Sequence, residues 1–210
     1  MPNRKTVART NTTANSVKEV QLKAVTFQEL WHNYPSGNPY DDSNGNFGNQ
    51  CAIRMSVTFH RVGSEMKSFS QKLVQPMPRK ATLGRIILDG KATATRAYEL
   101  AEWLQQKPFA GVSTAENITG PDWQNQIKGR TGIVFFYGYW RQDGDSGDDL
   151  SGGHIDLWNK DTLTPSAESF LRFRIGVPRI PNPISWLRGQ SDNIYSDLGK
   201  SRQILFWEVQ

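Results

Sequence analysis

This 210-residue chain is short of several things, and each shortage excludes a class of protein. It has one cysteine, Cys51, so neither an intrachain disulfide framework nor a cysteine-rich zinc site can be built. No apolar run approaches the roughly 20 residues that span a bilayer. The opening MPNRKTVARTNTTANS has no apolar core and no cleavage motif of a secretory signal. Charge is also scarcer than the pI near 9.4 suggests. Residues 1–23 carry Arg4, Lys5, Arg9, Lys18 and Lys23 against Glu19, a net of +4, which leaves only +1 on the other 187 residues. The body is close to neutral, which argues against a nucleic-acid binder, since that needs a basic face on the domain itself. Apolar residues are few, at 37%, below the globular average. Seven Trp, ten Phe and six Tyr compensate, because each aromatic side chain buries roughly 150–250 Å², and a core is within reach.

Residues 1–22 are polar and aperiodic and read as a flexible basic tail. Residues 23–210 read as one domain. In TFQELWHNYP, Thr26 and Glu29 have capping-box spacing, and Phe27, Leu30, Trp31 and Tyr34 share a helical face up to Pro35. A Gly/Asn/Asp-rich loop, SGNPYDDSNGNFGNQ, follows. A second helix then opens at Cys51, with Ala52, Met55, Ser56 and Phe59 on one face and Gly63 at its end. A third carries Ala97, Leu100, Ala101 and Leu104 and stops before Pro108. Beyond it the pattern turns to β. TGIVFFYGYW (131–140), GHIDLWN (153–159), SFLRFRIGV (169–177) and ILFWEV (204–209) read as strands. Helices first and antiparallel strands afterwards define an α+β fold, with N-terminal helices packed on an antiparallel sheet.

Cys51 thus stands at a helix N-terminus, straight after a glycine-rich loop. Unpaired N–H groups and the helix dipole favour a thiolate there, and the same N–H groups can serve as an oxyanion hole. A small buried hydrophobe is the alternative for a lone cysteine. Of the three histidines, His32 has no reason to face Cys51. His60 lies nine residues further along the same helix, about 13 Å away. His154, after Gly152 and Gly153, opens a strand where small neighbours leave room for a substrate backbone. Its context alone is that of a catalytic base. The loop DGDSGDDL (143–150) invites a calcium reading through its D-x-D spacing, but lacks the full ligand pattern. A solvated acidic loop, or carboxylates that attract a substrate amine, are the other readings.

NQCAIRMS (49–56), TGIVFF and GGHIDLWN (152–159) resemble the peptidoglycan amidase effectors of bacterial type VI secretion, fourth family. TFQELWHNYP and ILFWEV fit the family's beginning and end. The resemblance implies a papain-like NlpC-type fold, with Cys51 as nucleophile and His154 as general base and later acid. It implies hydrolysis of the bond between γ-D-glutamate and meso-diaminopimelate in the cell-wall stem peptide, with no metal or cofactor. It also implies a protein made in the attacker's cytoplasm, exported without a signal peptide by the type VI apparatus into the target's periplasm, and blocked by a cognate immunity protein. Neither nucleic acid nor membrane is an expected partner. The family's acidic orienter falls about eleven residues after the histidine, where this chain has Pro165 and then Ser166. Asp156 is the favoured third member, since residue i+2 on a strand shares the histidine's face. Asp161, and Ser166 or a backbone acceptor, are the alternatives, with Glu168 also nearby. Residues 165–203 are an excursion outside the family pattern, read as a surface detour or as a lid in which Trp186 and Tyr195 stack on substrate. Two further functional readings share the scaffold: a thiol acyltransferase or hydrolase of another cell-wall bond, and a non-catalytic wall-binding module.

Overall fold

Thr26 and Glu29 start the first helix as their spacing predicts. Glu29 Oε2 accepts the Thr26 backbone N–H at 2.8 Å and Thr26 Oγ1 accepts that of Glu29 at 3.3 Å. In the computed structural model, which describes residues 5–9, 16–21, 23–140, 150–165 and 198–210, this box caps α1 (Phe27–Asn33). The other expected helices are α2 (Cys51–Arg61) and α3 (Ala97–Gln105). A short α4 (Trp123–Ile127) was not expected. Within the N-terminal basic segment, β1 (Lys5–Arg9) and β2 (Val17–Gln21) pair antiparallel, Lys5 opposite Gln21.

The expected strands that fall on described residues form one antiparallel sheet. It contains β5 (Glu116–Asn117), β6 (Thr131–Trp140), β7 (Gly152–Asn159), β8 (Thr162–Leu163) and β9 (Gln203–Glu208), in the order β5-β9-β6-β7-β8. The chain's last strand therefore lies inside the sheet, beside β6. The strand expected at 169–177 lies outside the described residues. A separate hairpin, β3 (Arg85–Leu88) and β4 (Lys91–Ala94), was not expected. Its signal was present all the same: Asp89 and Gly90 adopt φ of 49° and 74°, the two positive values of the turn that Asp-Gly favours between strands.

Both faces of the sheet are covered, which accounts for the unbroken apolar run along β6. On one face, α1, α2 and α3 pack Phe59, Leu100 and Trp103 against Ile133, Phe135, Ile155 and Trp207. The Phe59 ring lies 5.5 Å from Trp103 and 5.4 Å from Phe109. On the other face, Trp123 meets Phe136 at 4.9 Å and Trp158 at 5.4 Å, with Ile204, Phe206 and Leu198 around them. Trp103, Trp123, Trp158 and Trp207 are each at most 1% exposed. The aromatics thus make the core that the low apolar content alone would not.

One buried carboxylate holds the segment between α2 and α3. Glu99, fully buried on α3, accepts the Met77 N–H at 2.9 Å, the Gly84 N–H at 2.7 Å and the Arg96 guanidinium at 2.8 Å. Arg96 also donates to the Thr82 carbonyl at 2.8 Å. Both ends and the middle of residues 77–84 are therefore tied to α3. Glu99→Ala leaves two buried N–H groups without an acceptor, and it is expected to cost about 3 kcal/mol. Urea denaturation of the variant beside the wild type measures this; a loss below about 1 kcal/mol would show that the ties are dispensable.

Candidate active site

Local sequence sets the start of α2. Asn49 Oδ1 accepts the Cys51 N–H at 3.1 Å. Gln50 ties back to Tyr40, accepting its N–H at 3.2 Å and donating to its carbonyl at 2.9 Å. Arg54, one turn further on, donates to the Gly37 carbonyl at 3.1 Å and to Asn38 Oδ1 at 2.5 Å. The glycine-rich loop is thereby bolted to the helix it precedes, and Cys51 keeps a fixed position. Because Asn49 occupies the Cys51 N–H, that group is not an open oxyanion donor in this conformation, contrary to the simplest reading of a helix N-terminus.

Cys51 is 3% exposed. Burial pushes its thiol up to about 11; the backbone N–H groups of Ile155 and Ala52 and the charge of Arg54 pull the other way, and Asp156 adds to the rise. The expectation of a lowered thiol pKa is thus reversed in this conformation, because desolvation outweighs the helix terminus. The same N–H of Ile155 locates the thiol. Cys51 meets β7 at the residue between His154 and Asp156.

The register explains why this is possible. From Gly152 to Leu157 β7 pairs with β6, while β8 reaches only Trp158 and Asn159. Among the described residues no strand pairs with the outer edge of β7 there, and the N-terminus of α2 comes onto it at Ile155. Alternation puts Ile155 and Leu157 on the face of the three helices and His154, Asp156 and Trp158 on the other. His154 is fully buried. Burial first, and the Arg54 charge second, bring its imidazole down to about 3, so it is neutral at pH 7.

Asp156 is also fully buried. Its Oδ2 accepts the Thr164 N–H at 2.9 Å, and Thr164 Oγ1 donates to the carboxylate at 2.9 and 3.0 Å. Burial raises its pKa to about 7 against the pull of these donors and of the Leu157 N–H. Tyr34 packs its hydroxyl beside Asp156 and Thr164, close enough to interact but outside strict hydrogen-bond geometry. Burial and the Asp156 charge hold that phenol well above its ordinary range. Sequence reasoning counted Tyr34 only as part of an apolar face and did not single out Thr164, since nothing local joins either to residue 156.

Of the alternative third members, only Asp161 falls on described residues. Asp161 is exposed in the turn at the far end of β7 from His154. Ser166, Glu168, Trp186, Tyr195 and the Asp143–Asp149 loop lie outside the described residues. The other histidines have structural roles. His60 Nε2 bonds the Ala92 carbonyl at 2.9 Å, and His32 Nδ1 bonds the Gln28 carbonyl at 2.8 Å. Among the described residues, no three His, Cys, Asp or Glu side chains gather closely enough to hold a metal ion. No helix among them is long and apolar enough to cross a membrane.

A cleft of about 600 Å³ opens on Cys51. Its lining includes Phe47 and Asn49 from the loop before α2, Lys80 and Arg96 from the segment before α3 and its N-cap, and Trp140 and Gly153 from β6 and β7. Gly153 borders the cleft as expected. Gly152 serves packing instead: a Cβ there would stand 2.3 Å from the Trp140 ring, which the irregular register after Tyr137 brings over it.

The chain is therefore an α+β protein whose cleft ends at a cysteine on a helix N-terminus, against a strand carrying a buried histidine and carboxylate. It belongs to the family of type VI secretion system amidase effector protein 4 (Tae4), whose model matches residues 47–207, about three quarters of the chain. Two solved structures are similar to it. One is the type VI effector Tae4 from Enterobacter cloacae, at 19% identity and a TM-score of 0.45, covering 69% of this chain and 86% of that one. The other is the effector Tae4 from Salmonella typhimurium in complex with the immunity protein Tai4 from Enterobacter cloacae, at 16% identity and a TM-score of 0.49, covering 88% and 98%. No curated protein sequence matches the chain.

Proposed function

We propose that this chain is a cysteine amidase of papain-like NlpC type that cleaves the γ-D-glutamyl–meso-diaminopimelate bond of peptidoglycan stem peptides, with Cys51 as nucleophile, His154 as base and Asp156 as positioning residue. What supports the reading is that, in a member of an amidase effector family, the single thiol opens on the cleft and lies against β7 at Ile155, the residue between His154 and Asp156 in the chain.

Both thiol and imidazole rest neutral at pH 7; in the proposed reaction the Sγ proton passes to His154 as sulfur attacks the γ-carbonyl carbon. The tetrahedral oxyanion needs donors; the Ala52 N–H near the sulfur is available for that, and the Cys51 N–H becomes so if Asn49 turns away. Collapse breaks the C–N bond. The imidazolium returns its proton to the diaminopimelate amine, which leaves, and a thioester stays on Cys51. Water attacks the thioester with His154 again as base, releasing the γ-carboxylate and the thiol. Asp156, clamped by Thr164, holds this part of β7 in place. No metal or cofactor enters the scheme.

As an effector of this family, the protein would be delivered by the type VI apparatus to the target's periplasm, and a cognate immunity protein would cover the cleft in the producing cell. Digestion of purified Gram-negative sacculi with the wild-type protein tests the bond. Mass spectrometry should find new fragments ending in γ-D-glutamate and complementary fragments with a free diaminopimelate amine. Other fragment ends would reassign the bond, and intact sacculi that retain the protein would leave a wall-binding module.

A further inference from the structure

We infer that Lys80 selects the substrate, by pairing with the free α-carboxylate of the glutamyl residue on the acyl side of the scissile bond. The inference rests on the amidase reading above and adds to it the group that recognises the γ-linkage.

The described lining of the cleft holds two cations, Lys80 and Arg96, and no Asp or Glu. Arg96 is already committed: its guanidinium donates to the buried Glu99 carboxylate and to the Thr82 carbonyl. Its charge is matched within the wall. Lys80 is exposed, and among the described residues no carboxylate pairs with it. The described lining of the cleft therefore carries one positive charge, on Lys80, that no described carboxylate matches.

That charge is held on a built support. Glu99 binds the N–H groups at both ends of residues 77–84, and Arg96 binds the middle. Inside the segment the Lys80 N–H closes a turn on the Met77 carbonyl at 3.0 Å, with Arg79 at φ 66° beside it. The backbone under Lys80 is thus ordered before substrate arrives, and only the side chain has to settle.

The substrate's chemistry supplies the complement. In an ordinary α-peptide, the residue contributing the scissile carbonyl has no carboxylate on its α-carbon. A γ-linked glutamate keeps one, a few bonds from the carbon that the sulfur attacks. A lysine on the cleft wall reads that difference directly, as a charge-assisted hydrogen bond in a partly enclosed site.

The test uses soluble muropeptides that differ only at this group: the free acid and its α-amide. They are given to the full chain as wild type, Lys80→Met, Lys80→Glu and Lys80→Arg. The wild type is expected to prefer the free acid by about 10- to 50-fold in kcat/KM. Lys80→Met is expected to lose most of that factor on the acid, mainly through KM, and to treat acid and amide alike. Lys80→Glu should favour the amide, and Lys80→Arg should restore the wild-type preference. Because Lys80 is exposed, unchanged thermal unfolding accompanies all three. Wild-type cleavage with the same preference in Lys80→Met overturns the assignment and leaves the amidase reading intact. Failure of the wild type to cleave either peptide overturns both.

Discussion

Cys51→Ala is expected to lower fragment release from sacculi by about 10⁴-fold or more, with the fold kept. The reason for the size of the effect is that no other thiol exists in the chain and no second nucleophile can form the thioester. The reason the fold survives is volume: the substitution removes a single sulfur from a site bounded by Asn49, Ile155 and the first turn of α2, and such truncations cost about 1 kcal/mol. His154→Ala should fall nearly as far, since the neutral thiol then has no base to take its proton. Asp156→Asn should lose less, because Thr164 can still hold an amide in place. Rates of soluble-fragment release, with circular dichroism on each variant, separate these cases. Equal activity of Cys51→Ala and wild type would remove the thiol from the mechanism.

The second large effect is on stability against pH, and it comes from the same strand. The Asp156 pKa rises from 3.8 to about 7 on folding, so between those values the native state holds a proton that the unfolded chain releases. This group's contribution is full below about pH 4 and is lost as pH rises through 7, about 4 kcal/mol in all. His154 falls from 6.5 to about 3, so there the unfolded chain holds the extra proton. Its contribution is full above pH 6.5 and is lost as pH falls toward 3. From pH 4 to 6.5 the two slopes oppose each other at about 1.4 kcal/mol per unit, and the wild type gains little from either. Relative to wild type, Asp156→Asn should therefore become more stable by about 3 kcal/mol as pH rises across that window, and His154→Gln less stable by a similar amount. Urea unfolding at intervals of half a pH unit reads both. Slopes of the same sign in the two variants would contradict the burial of one of the groups.

These two groups also show where sequence reasoning reaches its end. The sequence already carried His154 as the histidine of interest, because two glycines and a strand pattern surround it, and Asp156 as its same-face neighbour. It left Asp161 and Ser166 open beside Asp156, since spacing alone cannot say which side chain is buried beside the histidine. Thr164 decides for burial of Asp156 by folding back from the β7–β8 turn, while Asp161 in that turn stays exposed. The sign of the Cys51 shift was out of reach for the same reason. A helix N-terminus is legible in the sequence, but the burial that outweighs it exists only in the packed fold.

What the amino-acid sequence by itself determined is local. The capping box of Thr26 and Glu29, the start of α2 at Cys51, the apolar faces of the three helices and the strand character of β6, β7 and β9 all depend on residues a few positions apart. The Asp89-Gly90 turn was equally local, and its hairpin was there to be read. The tertiary structure decided the rest. It placed the final strand beside β6, brought the N-terminus of α2 onto β7 at Ile155, and gave Glu99 its two backbone donors from residues 77 and 84. It also turned Lys80 into the cleft. Each of these joins segments far apart in the chain, through packing and through hydrogen bonds that exist only once both partners are buried together.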